Sequence, residues 1–154
     1  MAEKLTFQQE TPDTFIADCM DLLIIHWDDV ALNKDEVKLN PDWDLYMQLH
    51  ANGSLHATTA RTLAGELVGY CVYMVTRNLN YKDHVWAEGD VFFLHKDYRK
   101  GLSGVRLLKA AEAAMVSLGV TKIINKVKLH KDVGVLFERM GYTAVERVYV
   151  KGIS

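Results

Sequence analysis

The chain has 154 residues, of which 49% are hydrophobic, 25% are charged and only two are proline. This length and apolar content predict one folded domain over residues 1–154 with a core of its own, and they exclude a disordered chain. Lys and Arg together number 18 and Asp and Glu 20, so the formal net charge is −2. A protein that binds the nucleic-acid backbone needs an excess of basic residues, and we therefore expect no nucleic-acid partner.

The cysteines and histidines further restrict the class of protein that the sequence can encode. Cys19 and Cys71 lie far apart and form no CxxC motif, which is typical of a reducing compartment. No basic segment followed by an apolar run opens the sequence, and no apolar run reaches the roughly 20 residues that cross a bilayer. We expect a cytoplasmic protein without membrane contact. Its histidines show no pair at ligand spacing with a supporting acid or cysteine, so we expect no metal site.

The first half of the chain mixes strand and helix patterns. Residues 5–7 alternate briefly and predict an edge strand, and apolar side chains at helical spacing predict a helix over residues 14–27. A second helix is expected to begin after Asn40 as its N-cap, with Pro41 in the first turn, and to end near residue 50. Beyond Gly53 the hydrophobic period becomes two, and a turn at residues 64–66 predicts a β-hairpin.

The second half contains the most informative segment. Residues 85–94 predict a central strand that carries two carboxylates, Glu88 and Asp90. Side chains two residues apart on a strand point to the same face, and charges beside a buried run are costly unless they are paired, solvated or used. A glycine-containing loop follows, then a helix that ends at Gly119. Residues 122–129 predict a strand, residues 132–140 a short helix and residues 142–151 a final strand.

The join between the central strand and the next helix has the topology of an anion site. Backbone N–H groups at the start of a helix are unpaired and carry partial positive charge, so a loop without bulky side chains lets a phosphate approach them. Residues 99–104 have the sequence RKGLSG, which is neither a Walker A motif nor the GxGxxG dinucleotide fingerprint. By itself this pattern predicts a phosphorylated ligand or a tight turn whose glycines only meet backbone geometry.

This segment resembles the pyrophosphate loop of the Gcn5-related N-acetyltransferase family, Arg/Gln-x-x-Gly-x-Gly/Ala, which joins a central strand to a long helix. Arg99 and Gly104 occupy the first and last positions of that motif, whereas Leu102 replaces the middle glycine and Gly101 precedes it. The order of predicted elements is similar to the family's along the whole chain. Residues 31–34 and 40–44 also resemble small family members encoded in bacteriophage genomes.

The resemblance implies an α/β (α+β) fold: one domain with a twisted, mixed, mostly antiparallel sheet flanked by about four helices. It also implies acetyl coenzyme A as cosubstrate, with its pyrophosphate on the loop amides and its pantetheine arm along the end of the central strand. Residues 136–142, LFERMGY, are similar to the family's late helix, where Phe137 replaces a tyrosine that commonly serves as general acid. The implied cofactor-binding residues are Phe93, Leu94, Arg99, Lys100, Gly101, Leu102, Ser103, Gly104, Val105, His130 and Phe137.

The chemistry of acetyl transfer indicates which side chains are needed. An amine must lose a proton to attack a thioester carbonyl, so a carboxylate acting directly or through a water is the natural general base. Family members carry the base at the position of Glu88 or at that of Asp90, and we rank Glu88 slightly higher. Tyr142, His95 and His130 are candidates for protonating the leaving thiolate.

We therefore expect acetyl transfer from acetyl coenzyme A to a primary amine of a small molecule or a protein, by a monomer or a homodimer. Acidic side chains between the first two helices either attract a cationic amine or form a solvated loop; they are Asp28, Asp29, Asp35 and Glu36. An alternative is a non-catalytic acyl-CoA-binding or regulatory interaction module on the same fold, because Leu102 and Phe137 depart from the family pattern. A phosphopeptide- or nucleotide-binding scaffold is a third interpretation.

Overall fold

The structure, a computed structural model, describes residues 3–153. Its strands are β1 (Leu5–Glu10), β2 (Leu55–Thr62), β3 (Leu67–Arg77), β4 (Val85–Leu94) and β5 (Lys122–Ile124). Its helices are α1 (Pro12–Val30), α2 (Trp43–Ala51), α3 (Ser103–Ser117) and α4 (Gly134–Arg139), and a single 3-10 turn spans Lys96–Tyr98. The strands form one sheet in the order β1-β2-β3-β4-β5, antiparallel except for the parallel pair β4 and β5. This mixed, mostly antiparallel sheet with four helices confirms the predicted fold class.

Helices cover both faces of the sheet. On one face, α1 buries apolar side chains such as Phe15 and Leu22 against Tyr70 and Phe93, and α2 packs on this core with partly buried side chains. On the other face, α3 buries a stripe that includes Leu107 against β1, β3 and β4. Both stripes follow the helical period, so each helix has one apolar side to bury, and that burial is the main driving force of the fold.

Two helix boundaries differ from those predicted. The first helix is longer than expected at both ends, and Pro12 stands in its first turn. The second begins at Trp43, and its N-cap is Asp42, whose side chain accepts a hydrogen bond from the Leu45 N–H at 2.9 Å. The prediction of Asn40 as N-cap was wrong, because Asp42 lies three residues before that N–H and Asn40 lies five before it.

The end of the chain differs most from the prediction. β5 contains three residues instead of the eight expected, and residues 143–153 form no strand and are exposed. The predicted final strand over residues 142–151 is therefore absent. A β-type sequence forms a strand only where another strand offers its backbone for pairing. No helix within residues 3–153 has the combined length and apolar character that a bilayer crossing requires.

Two irregularities in β4 determine where the functional site lies. Val72 on β3 faces Val91 and Tyr73 faces Gly89, so Asp90 has no opposite residue and forms a β-bulge. On its other side β4 pairs with β5 only from Trp86 to Glu88. Beyond Glu88 the two strands separate, and residues 89–94 present a backbone edge that no strand of the described chain covers.

Candidate active site

The floor of the opening between β4 and β5 is a small polar cluster. A Cβ atom at Gly89 would lie 2.8 Å from Asn125 Oδ1, so only glycine leaves room for this amide. The Tyr73 hydroxyl donates to the same Oδ1 atom at 3.0 Å, which orients the amide. The Asn125 Nδ2 atom is buried and has no hydrogen-bond partner. A buried unsatisfied donor costs about 1–3 kcal/mol, so this atom is suited to receive an acceptor from a ligand.

The sequence analysis did not single out Asn125. A lone asparagine after a short strand has no distinguishing pattern, and its importance depends on a glycine 36 positions earlier that faces it across the sheet.

The far end of the opening is closed by a network of charges. The His95 N–H donates to the Val68 carbonyl of β3, so the backbone groups of Leu94 point to the opposite, open edge. There, Arg99 Nε donates to the Leu94 carbonyl at 2.6 Å. The same guanidinium lies 3.5 Å from Asp29 at the end of α1, and Lys131 lies 3.2 Å from Asp29. Arg99 therefore joins the end of β4 to α1 rather than extending into the loop that follows it.

The loop after β4 leaves the start of α3 free of protein acceptors. No side chain caps this helix, no acidic residue lies in its first turn, and no described backbone group accepts from the N–H groups of Gly104 or Val105. Gly101 has φ +59, whereas Leu102 has φ −104 and a side chain that is 61% exposed. Leu102 therefore introduces no backbone strain, because the left-handed position falls on Gly101.

The surroundings of this loop are electropositive. A cavity of about 410 Å³ lies between the start of β1 and the start of α3. The side chains of Lys4, Lys100 and Arg106 line it, together with that of Glu3. Three cations beside free helix amides favour a phosphate group at the start of α3.

The two carboxylates of β4 have different surroundings. Glu88 lies 3.2 Å from Lys126 Nζ, and both side chains are about half exposed. Asp90, at the bulge, has its pKa raised by burial, although the charge of Lys126 opposes the change. The charge of Asp90 in turn contributes, after burial, to raising the pKa of Tyr46 on α2 to about 12. Both carboxylates thus lie near Lys126, and Asp90 also faces α2.

The remaining predicted catalytic group, Tyr142, is partly buried and hydrogen-bonded. The Tyr142 hydroxyl donates to Glu112 Oε1 at 2.5 Å, and burial raises the Tyr142 pKa, with Glu112 adding to the effect. Phe137 is buried between the rings of Phe92 and Tyr142. His130 is one of the two candidate histidines, and its Nε2 atom lies 3.0 Å from the Val30 carbonyl oxygen.

A histidine that was not proposed for the site lines its α1 side. His26 Nδ1 lies 2.7 Å from the Tyr70 hydroxyl, and its ring stacks on Phe93 with centroids 4.5 Å apart. Burial lowers its pKa to about 4, so the ring is neutral near pH 7.

The acidic residues expected to attract an amine are partly neutralised. Asp28 lies 3.6 Å from Lys34, and Asp29 lies between Arg99 and Lys131. Each of these two carboxylates already has a cationic partner. Asp35 and Glu36 are exposed.

Comparison with known sequences identifies the family to which this chain belongs. The model of the acetyltransferase (GNAT) family matches residues 18–142, which include β4, the glycine loop and α3. The chain belongs to this family. No curated protein sequence matches it.

Solved structures agree with the family assignment. The ribosomal-protein-alanine N-acetyltransferase from Brucella melitensis biovar Abortus 2308 superposes with a TM-score of 0.74 at 17% identity, covering 98% of this chain and 100% of that chain. An aminoglycoside acetyltransferase from an uncultured soil metagenomic sample gives 0.77 at 13% identity over 98% and 99%. The glucosamine-6-phosphate N-acetyltransferase from Arabidopsis thaliana gives 0.74 at 9% identity over 99% and 100%. At these identities the likeness shows a common fold.

The residues of this GNAT chain fit the cosubstrate that the family implies. An amide-bearing arm can pair with the uncovered edge of β4 as a strand would, and Asn125 Nδ2 offers it a buried donor. A pyrophosphate can lie on the amides at the start of α3, where a Cβ on Gly104 would meet only Leu136, at 3.9 Å.

Proposed function

We propose that this protein transfers the acetyl group of acetyl coenzyme A to a primary amine of a small molecule or a protein. One observation carries the proposal: β4 separates from β5 directly beside a helix start whose amides have no acceptor. An open strand edge suits an amide-containing arm, and free helix amides suit a pyrophosphate. Acetyl coenzyme A contains both groups and supplies an activated thioester.

Different parts of the site are expected to contact different parts of acetyl coenzyme A. The backbone of Phe93 and Leu94 borders the arm, although the Leu94 carbonyl is already bonded to Arg99. Amides from Lys100 to Val105 hold the pyrophosphate, with Gly101, Leu102, Ser103 and Gly104 between them. Lys100 adds a positive charge beside it. His130 and Phe137 lie on the segment and helix that follow β5, and their contact with the cosubstrate stays a prediction.

The general base is one of the two carboxylates of β4. The sequence ranking placed Glu88 first, but the surroundings favour Asp90. Glu88 forms an ion pair with Lys126, whereas burial raises the pKa of Asp90 and makes it a stronger base than an ordinary aspartate. In this proposal Asp90 accepts the amine proton, directly or through a water, and the amine nitrogen bonds to the thioester carbonyl carbon as the thiolate leaves.

The thiolate can leave with little help, because an ordinary thiol has a pKa near 8.5. Tyr142 is a candidate donor that keeps its proton at neutral pH. Its hydroxyl is bonded to Glu112, so a reprotonation role requires that bond to open.

Calorimetric titration of acetyl coenzyme A into the protein tests the site, with ATP and NAD as controls. We expect micromolar affinity for acetyl coenzyme A and much weaker binding of the other two. Gly104→Val should weaken binding at least tenfold, because its branched side chain occupies the space of the pyrophosphate. Ala113→Val, on the exposed side of α3, is the matched control. Equal affinity for all three nucleotides would instead support a general nucleotide-binding scaffold.

The acceptor is tested by thiol release with a panel of amines. The panel follows the activities of the structurally similar enzymes: an aminoglycoside, glucosamine 6-phosphate and a peptide with N-terminal alanine. Turnover with any of them supports the proposal. The alternative, a non-catalytic acyl-CoA-binding module, is favoured by the absence of a hydroxyl at Phe137 and predicts tight binding without acetylated product. The similarity to bacteriophage-encoded members stays a prediction.

A further inference from the structure

Three cationic side chains gather around one carboxylate at the end of α1. Arg99 lies 3.5 Å from Asp29, and Lys131 lies 3.2 Å from the same carboxylate. Lys128 is the third, and its backbone carbonyl accepts a hydrogen bond from the Lys131 N–H at 3.0 Å. Burial is the main cause of the lowered His26 pKa, and the nearby charges of Arg99 and Lys128 lower it further. We call Arg99, Lys128 and Lys131 the basic cluster.

The basic cluster carries more positive charge than its surroundings neutralise. It brings three positive charges, and Asp29 supplies one negative charge, which leaves a surplus of two. No carboxylate within residues 3–153 forms an ion pair with Lys128. The neighbouring acid, Asp28, has its own partner in Lys34 at 3.6 Å. A surplus of this kind favours the binding of an anion.

The end of α1 does not require these cations as caps. The last carbonyls of a helix attract cationic side chains, which is a common reason for lysines beside a helix end. Here the Val30 carbonyl accepts from His130 Nε2 at 3.0 Å, and the Asp28 carbonyl accepts from Lys34 Nζ at 2.6 Å. Other side chains thus satisfy these carbonyls, and the charge of the basic cluster remains available to a ligand.

The basic cluster lies on the face of the sheet that carries the proposed general base. Arg99 Cζ lies 5.1 Å from the centroid of the Phe93 ring, on which His26 also stacks. Phe93 belongs to the core between α1 and the sheet, and Asp90 faces Tyr46 of α2 on that side. Three residues of a strand, the separation of Phe93 from Asp90, span about 10 Å. An acceptor whose amine reaches Asp90 can therefore place a second group at the basic cluster.

We propose that the basic cluster binds an anionic group, a carboxylate or a phosphate, on the amine that this protein acetylates. The inference deepens the proposed function and rests on it. Arg and Lys side chains are the usual partners of both anions. The preferred acceptor is thus an amine that carries a negative charge at its other end, up to about 10 Å away.

Pairs of amines that differ only in their negative charge test the proposal. We compare kcat/KM for 6-aminohexanoate and 8-aminooctanoate with the values for their amides, and the value for glucosamine 6-phosphate with that for glucosamine. Thiol release at low salt is the assay. We expect the anionic member of at least one pair to be preferred tenfold or more, and the preference to decrease as salt is added. Equal values within all pairs overturn the proposal.

Lys128→Gln removes the cation of the cluster that has no carboxylate partner. It should reduce the preference for the anionic amine to less than threefold through a higher KM, because the anion is held away from the reacting atoms. Lys109→Gln is the matched control, since it makes the same change at an exposed position of α3 on the other face of the sheet. This control should keep the preference of the wild-type protein. A preference that survives Lys128→Gln overturns the proposal.

Binding measurements separate the failure of this inference from the failure of the proposed function. Into protein saturated with coenzyme A, which has no acetyl group to transfer, we titrate 6-aminohexanoate and its amide by calorimetry. Stronger binding of the acid, lost in Lys128→Gln, supports the anion site. Turnover of acids and amides alike overturns this inference alone, whereas absence of both coenzyme A binding and turnover overturns the proposed function with it.

The same calorimetry identifies the source of the anion. The cosubstrate contains phosphates of its own, which could also reach the basic cluster. Weaker binding of acetyl coenzyme A to Lys128→Gln than to the wild-type protein would mean that the cluster holds one of these phosphates. That result overturns the assignment of the cluster to the acceptor.

Discussion

At the scale of single residues, the site is shaped by polar groups that the fold has enclosed. His26, Tyr70 and Asn125 are held by burial and by specific hydrogen bonds, and each lies within a few ångströms of the central strands. Enclosure changes how such groups titrate, because the charged form loses its water. Measurable consequences follow for stability and for turnover.

The neutral state of His26 makes stability depend on pH. Its pKa is lowered to about 4 in the folded protein, against 6.5 for an ordinary histidine. Between those values the unfolded chain binds a proton that the folded chain does not, so stability falls as the pH decreases. We expect a loss of about 2 kcal/mol from pH 6.5 to pH 5, measured by urea unfolding. His26→Gln should lack this part of the slope, and an unchanged slope in that variant would contradict the assignment.

Substitution of the two carboxylates separates their roles. Asp90→Asn should lower turnover about a hundredfold at neutral pH, because an amide cannot accept the amine proton. Glu88→Gln should have a smaller effect, since Glu88 is engaged by Lys126. The acidic limb of the kcat/KM profile should lie above the range of an ordinary aspartate, in the direction of the raised Asp90 pKa. Calorimetry should give unchanged cosubstrate binding for both variants. The larger loss in Glu88→Gln would restore the ranking from sequence.

At the scale of elements, β4 and the helices beside it position the site. The bulge at Asp90 turns the strand, the short pairing with β5 opens its edge, and α2 places Tyr46 opposite the bulge. A bulge and an early separation both cost backbone pairing, so the neighbouring helices must hold these strands in place.

The start of α2 is stabilised by Asp42 and not by Asn40. Asp42→Ala should lower the free energy of unfolding by about 1 kcal/mol, because the Leu45 N–H loses its acceptor. Urea unfolding measures the change. Asn40→Ala is the matched control and should leave stability unchanged, and a comparable loss in that control would mean that the helix begins earlier in solution.

At the scale of the whole molecule, the proposed cosubstrate site joins the sheet to the helix layer. Binding would link the open edge of β4 to the start of α3. A ligand that binds only the folded state stabilises it in proportion to the logarithm of its concentration.

Acetyl coenzyme A at about one hundred times its Kd should stabilise the protein by about 2.7 kcal/mol. For a chain of this size we expect a rise in Tm of roughly 5–10 °C by scanning calorimetry. ATP at the same concentration should have little effect. An equal shift with ATP, or none with acetyl coenzyme A, would contradict the site.

Much of this architecture is local and therefore visible in the sequence. The bounds of β4 follow from the apolar residues at its two ends, its two carboxylates from their place between those residues, and the end of α3 from Gly119 with φ +79. The position of the glycine loop between strand and helix was also predicted correctly. In each case the deciding interactions lie within a few residues, where hydrophobic period and glycine geometry determine the backbone.

Tertiary structure alone decided the rest. The sequence determined that residues 142–151 have the composition of a strand, but whether they form one depends on a distant edge, and β5 does not meet them. Likewise, Asn125 is enclosed by Gly89, and Arg99 is turned towards Asp29 of α1, by contacts between residues far apart in the chain. The hydrophobic periodicity of the sequence shows which side of a helix or strand is apolar. It carries no information on which other element covers that side, since pairing and enclosure depend on how the whole chain packs.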